Sequence, residues 1–91
     1  MTETRDTMIK RLRMRSMRRG IKEMDLILSA YADENLDGFS DEALMLYDQL
    51  LSENDHDLYG WIGGQFAVPE VYLDMITHIA AGATGVTKPA G

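Results

Sequence analysis

Apolar side chains recur every three or four positions along most of the chain, and strand-like alternation is nowhere sustained. A period near 3.6 gathers such residues on one face of a helix, so the pattern predicts an all-α chain. The first helix is expected over 7–18, with Asp6 as N-cap and Met8, Ile9, Leu12 and Met17 as a narrow apolar stripe among basic residues. Gly20 closes it and opens a second helix over 20–36, whose inward face carries Ile21, Met24, Leu28, Tyr31, Ala32 and Leu36. Asp37-Gly38 is a turn dipeptide, and Ser40 caps a third helix over 41–51, with Asp41 and Glu42 at the positive end of its dipole. Phe39 and Leu44 occupy the two positions of a hydrophobic staple, and Leu44, Tyr47, Leu50 and Leu51 are expected to be buried. A short fourth helix starts at Asn54-Asp55, carries Leu58, Trp61 and Ile62, and stops at Gly63-Gly64. Pro69 suits the first position of a fifth helix, with Tyr72, Met75, Ile76 and Ile79 facing the core and Gly82 at its end. The expected fold is a compact five-helix bundle, a single domain over 1–82, followed by a disordered tail over 83–91.

Composition narrows the class. A chain of 91 residues has room for one core, since domains commonly need about 50 to 200. With 45% hydrophobic and 26% charged residues it is unlike disordered, collagen-like or membrane-spanning chains. The absence of cysteine excludes disulfides, thiolate nucleophiles and Cys-ligated zinc. No apolar run approaches the roughly 20 residues of a membrane span, and the start lacks the apolar core of a secretory signal. That Arg-rich, acid-poor start is similar in composition to a mitochondrial presequence, but it flows into a helical pattern with almost no leader. It is read as part of the mature domain, and the expected location is a bacterial cytoplasm.

Charge is unevenly divided. Residues 1–22 hold eight of the nine Lys and Arg side chains against Glu3 and Asp6, giving +6, whereas 23–91 hold Lys88 against thirteen acids, giving −12. A nucleic-acid patch on the first helix would lack interleaved aromatics and would be tethered to a segment that phosphate repels. A membrane-surface helix would need a broader apolar face than this one offers. Two readings stay open: a protein-docking helix, suited by the five of seven methionines within residues 1–24, and a core helix with a solvated basic face.

Catalytic or metal-binding constellations are hard to assemble. His56 and His78 have no His-x-x-x-His or His-x-x-Glu partner, and solvent-facing imidazoles are expected. Asp74 and His78, four apart, read as a surface pair. Glu53, Asp55 and Asp57 alternate like the start of a calcium loop, but the glycine at position six and the glutamate at twelve are missing, so a capped helix start explains them better. No phosphate loop, dinucleotide fingerprint or nucleophile elbow occurs, and the chain is not expected to be an enzyme.

The distinctive stretch is Arg18-Arg19-Gly20-Ile21-Lys22-Glu23-Met24-Asp25. Read structurally, Gly20 is the N-cap of the second helix, Glu23 at N3 reaches back to it, and Arg19 pairs with Glu23 four residues on. Read functionally, Gly20 lets another backbone approach closely, with Arg19 as a forked donor beside it and Glu23 as an acceptor one turn away.

At this point the sequence resembles the small FAD assembly factors that promote covalent flavin attachment to the flavoprotein subunit of succinate dehydrogenase. Their R-G-x-x-E signature is present as Arg19, Gly20 and Glu23, extended by the acid at Asp25. The resemblance covers about residues 7–81, including Asp25-Leu26-Ile27-Leu28 and the segment Asp55-His56-Asp57-Leu58-Tyr59-Gly60-Trp61-Ile62. His56 replaces a usual proline there, and Ile21 stands where methionine is frequent. The resemblance implies a five-helix bundle that is not itself an enzyme. It implies a chaperone that binds the flavoprotein subunit, possessing no stably bound cofactor because FAD belongs to the client, with fumarate reductase flavoproteins as a second client class. The implied partner-binding residues are Arg18, Arg19, Gly20, Glu23, Asp25 and Trp61, with the basic first helix orienting the encounter. No nucleic-acid partner and no membrane insertion are implied, and the free protein is expected to be a monomer. The alternative is a small protein-interaction regulator of antitoxin type.

Overall fold

The computed structural model describes residues 3–17 and 19–87, with side chains as far as Ala83. Among the described residues are five α-helices and no strand: α1 (Arg5–Ser16), α2 (Lys22–Asn35), α3 (Asp41–Leu51), α4 (Asp55–Ile62) and α5 (Leu73–Thr87). Single 3-10 turns at Leu36–Gly38 and Glu70–Tyr72 lead out of α2 and into α5. α2 packs against α5 and α1, α1 also crosses α3, and α4 lies on α5.

The inward faces follow the expected spacing. Met24, Ile27, Leu28, Tyr31, Ala32 and Leu36 of the second segment are buried with Leu44, Tyr47, Leu50 and Leu51 of α3 and Tyr72, Met75, Ile76 and Ile79 of the fifth. α3 has the expected bounds because the Ser40 hydroxyl accepts the Ala43 N–H at 3.1 Å. α4 is capped likewise by the Asn54 side chain, which accepts from His56 N–H at 2.8 Å. It ends at Gly63-Gly64, and Gly64 takes the left-handed φ of 77° that favours glycine.

Several helix boundaries differ from expectation, some for a local reason and one because of packing. α1 starts two residues early because Thr4, not Asp6, is the N-cap and accepts the Thr7 N–H at 3.2 Å. It stops at Ser16, and Met17 is exposed rather than part of the apolar stripe. Pro69 precedes the 3-10 turn instead of opening α5 directly. α5 runs past Gly82 to Thr87 because Ala83 is buried in register with Ile76 and Ile79, which extends the stripe facing the core. Packing outweighs the roughly 1 kcal/mol that glycine costs inside a helix. Of the stretch 83–91, expected to be a disordered tail, α5 takes in 83–87 and residues 88–91 lie outside the described residues.

α1 is thinly anchored by apolar contacts. It buries only Ile9, Leu12 and Ser16, and full burial of a leucine-sized side chain contributes about 1.5–3 kcal/mol. Ser16 is a polar complement to this contact: its hydroxyl donates to Leu12 O at 2.8 Å and accepts from the buried Tyr47 hydroxyl at 2.6 Å. Burial pushes the Tyr47 phenol up to about 12, so it remains a donor throughout the neutral range. Charge supplies the rest of the attachment.

Candidate functional site

Along the seam with α3, Arg11 reaches Asp48 through two hydrogen bonds of 3.0 Å, and Arg15 meets the same carboxylate. Arg5 pairs with Asp41 at 2.9 Å, and Arg13 lies 3.2 Å from Asp37 and 3.8 Å from Asp33. Hydrogen bonding from Arg11 holds the Asp48 carboxyl below its ordinary value of 3.8. The opposed segments of the sequence thus meet inside one molecule. Most of the positive charge of α1 is neutralised at short range, which weakens its field beyond a Debye length of about 8 Å.

The signature residues run from the connector between α1 and α2, which holds Arg19 and Gly20, into the first turn of α2, which holds Glu23 and Asp25. Arg19 N–H donates to the Asp25 carboxylate in the first turns of α2. The Arg19 guanidinium enters a junction of three helix ends. Nε and Nη2 contact Asp55 Oδ1 at 2.7 and 2.6 Å, Nη1 donates to Leu51 O at 2.9 Å and Arg15 O at 3.4 Å, and Nη2 also donates to Glu53 O at 3.3 Å. A cation there faces the carbonyl ends of α1 and α3, while Asp55 sits at the amide end of α4, so both charges suit the helix dipoles. The arginine side chain is only 12% exposed.

Gly20 is exposed, and its N–H donates to Asp55 Oδ2 at 2.8 Å. A Cβ on Gly20 would come within 3.3 Å of that oxygen. The expected capping box is not formed: Ile21 is the N-cap of α2, in extended conformation at φ −119°, ψ 125° and without a side-chain cap bond. Glu23 is consequently the second residue of α2 and exposed, beside exposed Lys22. Leu26, 49% exposed, follows Glu23 by three positions and shares its helix face. A shallow depression of about 390 Å³ opens beside Gly20, lined by Arg15, Met17, Arg19, Gly20, Glu53 and Asp55.

The six residues named from sequence are therefore placed differently. Gly20 and Glu23 are exposed, Arg19 bonds through its N–H to Asp25 of α2 and through its guanidinium to α3 and α4, and Arg18 lies outside the described residues. Trp61 stands six residues beyond Asp55, about 9 Å further along α4, half-buried with its ring 5.7 Å from that of Tyr72. In the sequence Asp55 belongs to a capped helix start and to the second segment of the family resemblance, and neither gives it a place among the partner-binding residues. Its partners lie 35 and 36 positions away, and the one available signal was an acid beginning a helix in a chain with a separate basic segment.

The remaining polar candidates have local partners. His78 is exposed, but its Nδ1 is hydrogen-bonded to the Tyr31 hydroxyl at 2.8 Å rather than forming the expected surface pair with Asp74. His56 stands near the ring of Phe66, with centroids 5.8 Å apart. Glu53 accepts from Tyr72 at 2.7 Å, and Asp55 faces Arg19, so the alternating acids diverge. Among the described residues no group of three or more His, Cys, Asp or Glu could hold a metal ion, and no helix is long and apolar enough to cross a membrane.

The model of a protein family described as flavinator of succinate dehydrogenase matches residues 10–82, which include both the connector and α4. The chain belongs to this family. It is 46% identical over 68 residues to succinate dehydrogenase assembly factor 2, mitochondrial, of Schizosaccharomyces pombe, covering 75% of this chain and 49% of that protein. The protein of the same name in Meyerozyma guilliermondii is 52% identical over 59 residues, covering 65% of this chain and 44% of its own length. A relative from Drosophila yakuba, assembly factor 2-A, mitochondrial, is 35% identical over 92 residues and matches 94% of this chain and 57% of its own length. The chain thus spans about half the length of these curated relatives. The expected bacterial cytoplasm is overturned, because these relatives are mitochondrial proteins of eukaryotes. That expectation leaned on a short leader, and where a chain spanning half of its relatives begins carries no information about location.

Proposed function

We propose that this chain is an assembly factor that binds the flavoprotein subunit of succinate dehydrogenase and promotes covalent attachment of its FAD. The observation that carries the reading is the exposure of Gly20 and Glu23 at one corner, in a member of the flavinator family, with Arg19 fixing that corner from beneath. Glycine offers an unobstructed backbone, Glu23 a carboxylate acceptor, and Leu26 an apolar contact on the same face. The chemistry belongs to the partner: the chain holds the partner's FAD and capping domains in an arrangement that favours self-catalysed attachment of the partner's own flavin. The chain contributes binding and orientation, keeps no flavin of its own, and leaves as a free monomer. Fumarate reductase flavoproteins are a second client class on the same reasoning. A regulator of antitoxin type is not favoured, since the relatives named above carry assembly-factor names.

The test is co-expression of the flavoprotein subunit with and without this chain in a host lacking its own factor, followed by in-gel fluorescence of denatured protein. Covalent flavin should require the chain. Equal fluorescence in both cultures would remove the proposal.

A further inference from the structure

Asp55 lies outside the R-G-x-x-E signature, yet its two oxygens hold two of the signature's residues. We propose that Asp55 is a positioning residue for the partner-facing corner: shared between the Arg19 guanidinium and the Gly20 amide, its carboxylate fixes the shape that the flavoprotein meets. The inference rests on the reading of Gly20 and Glu23 as the contact surface.

The connector needs such a device. The described residues between Ser16 and Lys22 belong to no helix, and a glycine loses more freedom on ordering than any other residue. Two consecutive amides, those of Arg19 and Gly20, are instead held by carboxylates from the first turns of two different helices, Asp25 on α2 and Asp55 on α4. The second carboxylate is rigidly delivered. Asn54 caps α4 and Leu58 anchors it in the core, so Asp55 has a fixed place.

The two oxygens have separate tasks. Oδ1 receives Nε and Nη2 of Arg19, which in turn ties the carbonyl ends of α1 and α3 to the same point, while Oδ2 receives Gly20 N–H. The close approach of Oδ2 also bears on position 20. Among the described glycines only Gly64 has a positive φ, so what constrains Gly20 is its contact with Asp55 and not its backbone angles: a Cβ would lie 3.3 Å from Oδ2, and the carboxylate would have to give by a few tenths of an ångström. Glycine and aspartate therefore form one unit, and their substitutions should be coupled.

The experiment combines amide hydrogen exchange on the free protein with affinity for the purified flavoprotein subunit, for Asp55→Ala, Gly20→Ala and the double variant. Asp55→Ala should release the Gly20 amide to fast exchange. Affinity should fall about tenfold, as it does when only about a tenth of molecules keep the binding-competent shape. Gly20→Ala should weaken binding in the wild-type background and add little in the Asp55→Ala background, a coupling that a uniform loss of stability would not produce. Ile79→Val, which loosens the core far from the connector, should leave affinity unchanged. If Asp55→Ala does not fold, Asp55→Asn, which keeps one acceptor oxygen, should give an intermediate exchange rate and affinity. A Gly20 amide still protected in the Asp55 variants, undiminished affinity once it is released, or additive effects in the double variant would each overturn the proposal. A wild-type chain that does not bind the flavoprotein would remove the functional reading itself, an outcome distinct from any failure confined to the variants.

Discussion

The α1–α3 seam and the α1–α2 corner are built from the same materials, arginines and carboxylates, but they use them differently. In the seam, Arg5, Arg11 and Arg15 lie on the α3 carboxylates of Asp41 and Asp48, where water competes and each pair contributes little. At the corner a single arginine places donors on one carboxylate and three backbone carbonyls. The seam attaches a helix, whereas the corner sets a shape. A formal count of charges along the chain does not separate these two tasks; burial does, since the Arg19 side chain is 12% exposed and those of Arg5, Arg11 and Arg15 are 32–39% exposed.

Breaking the corner should have the largest effect. Arg19→Ala leaves the Asp55 carboxylate and the Leu51 carbonyl short of partners, and should lower stability by about 2–3 kcal/mol in denaturant titrations. Arg19→Lys should recover less than half of the loss, because a point charge cannot reproduce the fork. In the seam the largest effect belongs to Asp48, where Arg11 and Arg15 converge, and Asp48→Ala should lower stability by about 1 kcal/mol. The same carboxylate gives the seam a pH dependence. Its pKa is lower in the folded state than the ordinary 3.8, so its stabilisation is fully present above that value and is lost as pH falls through the depressed folded value. Asp48→Asn should flatten the acid limb of the stability profile below about pH 4. The smallest effect should come from Arg5→Ala at the exposed pair with Asp41, within about 0.5 kcal/mol and vanishing in 1 M salt.

Much of the fold was legible because helices declare themselves locally. Ser40 and Asn54 cap helices within three residues of themselves, and the spacing of Leu44, Tyr47, Leu50 and Leu51 exposes a buried face without reference to anything distant. Errors arose where local signals competed or where packing decided. Thr4 and Asp6 are both competent caps, and Gly82 reads as a stop until Ala83 is known to be buried. At the site, the motif was legible as a word but its division of labour was not. Arg19 has the chemistry of an exposed forked donor, and nothing within its own turn reveals that the carboxylate and carbonyls it meets lie on α3 and α4, more than 30 positions away. Glu23 shows the converse: a reading as a helix cap was available from spacing, but Ile21 takes the cap position and leaves the glutamate outside.

That placement makes Glu23→Gln the most direct measurement. The substitution keeps size and hydrogen-bonding capacity, removes one exposed charge from a residue with no role in the cap, and should leave thermal stability unchanged. Co-expressed with the succinate dehydrogenase flavoprotein subunit, the folded variant should leave most of that subunit without covalent flavin by in-gel fluorescence. Flavin attachment at the wild-type level would contradict the assignment of the Gly20–Glu23 corner as the surface that the partner meets.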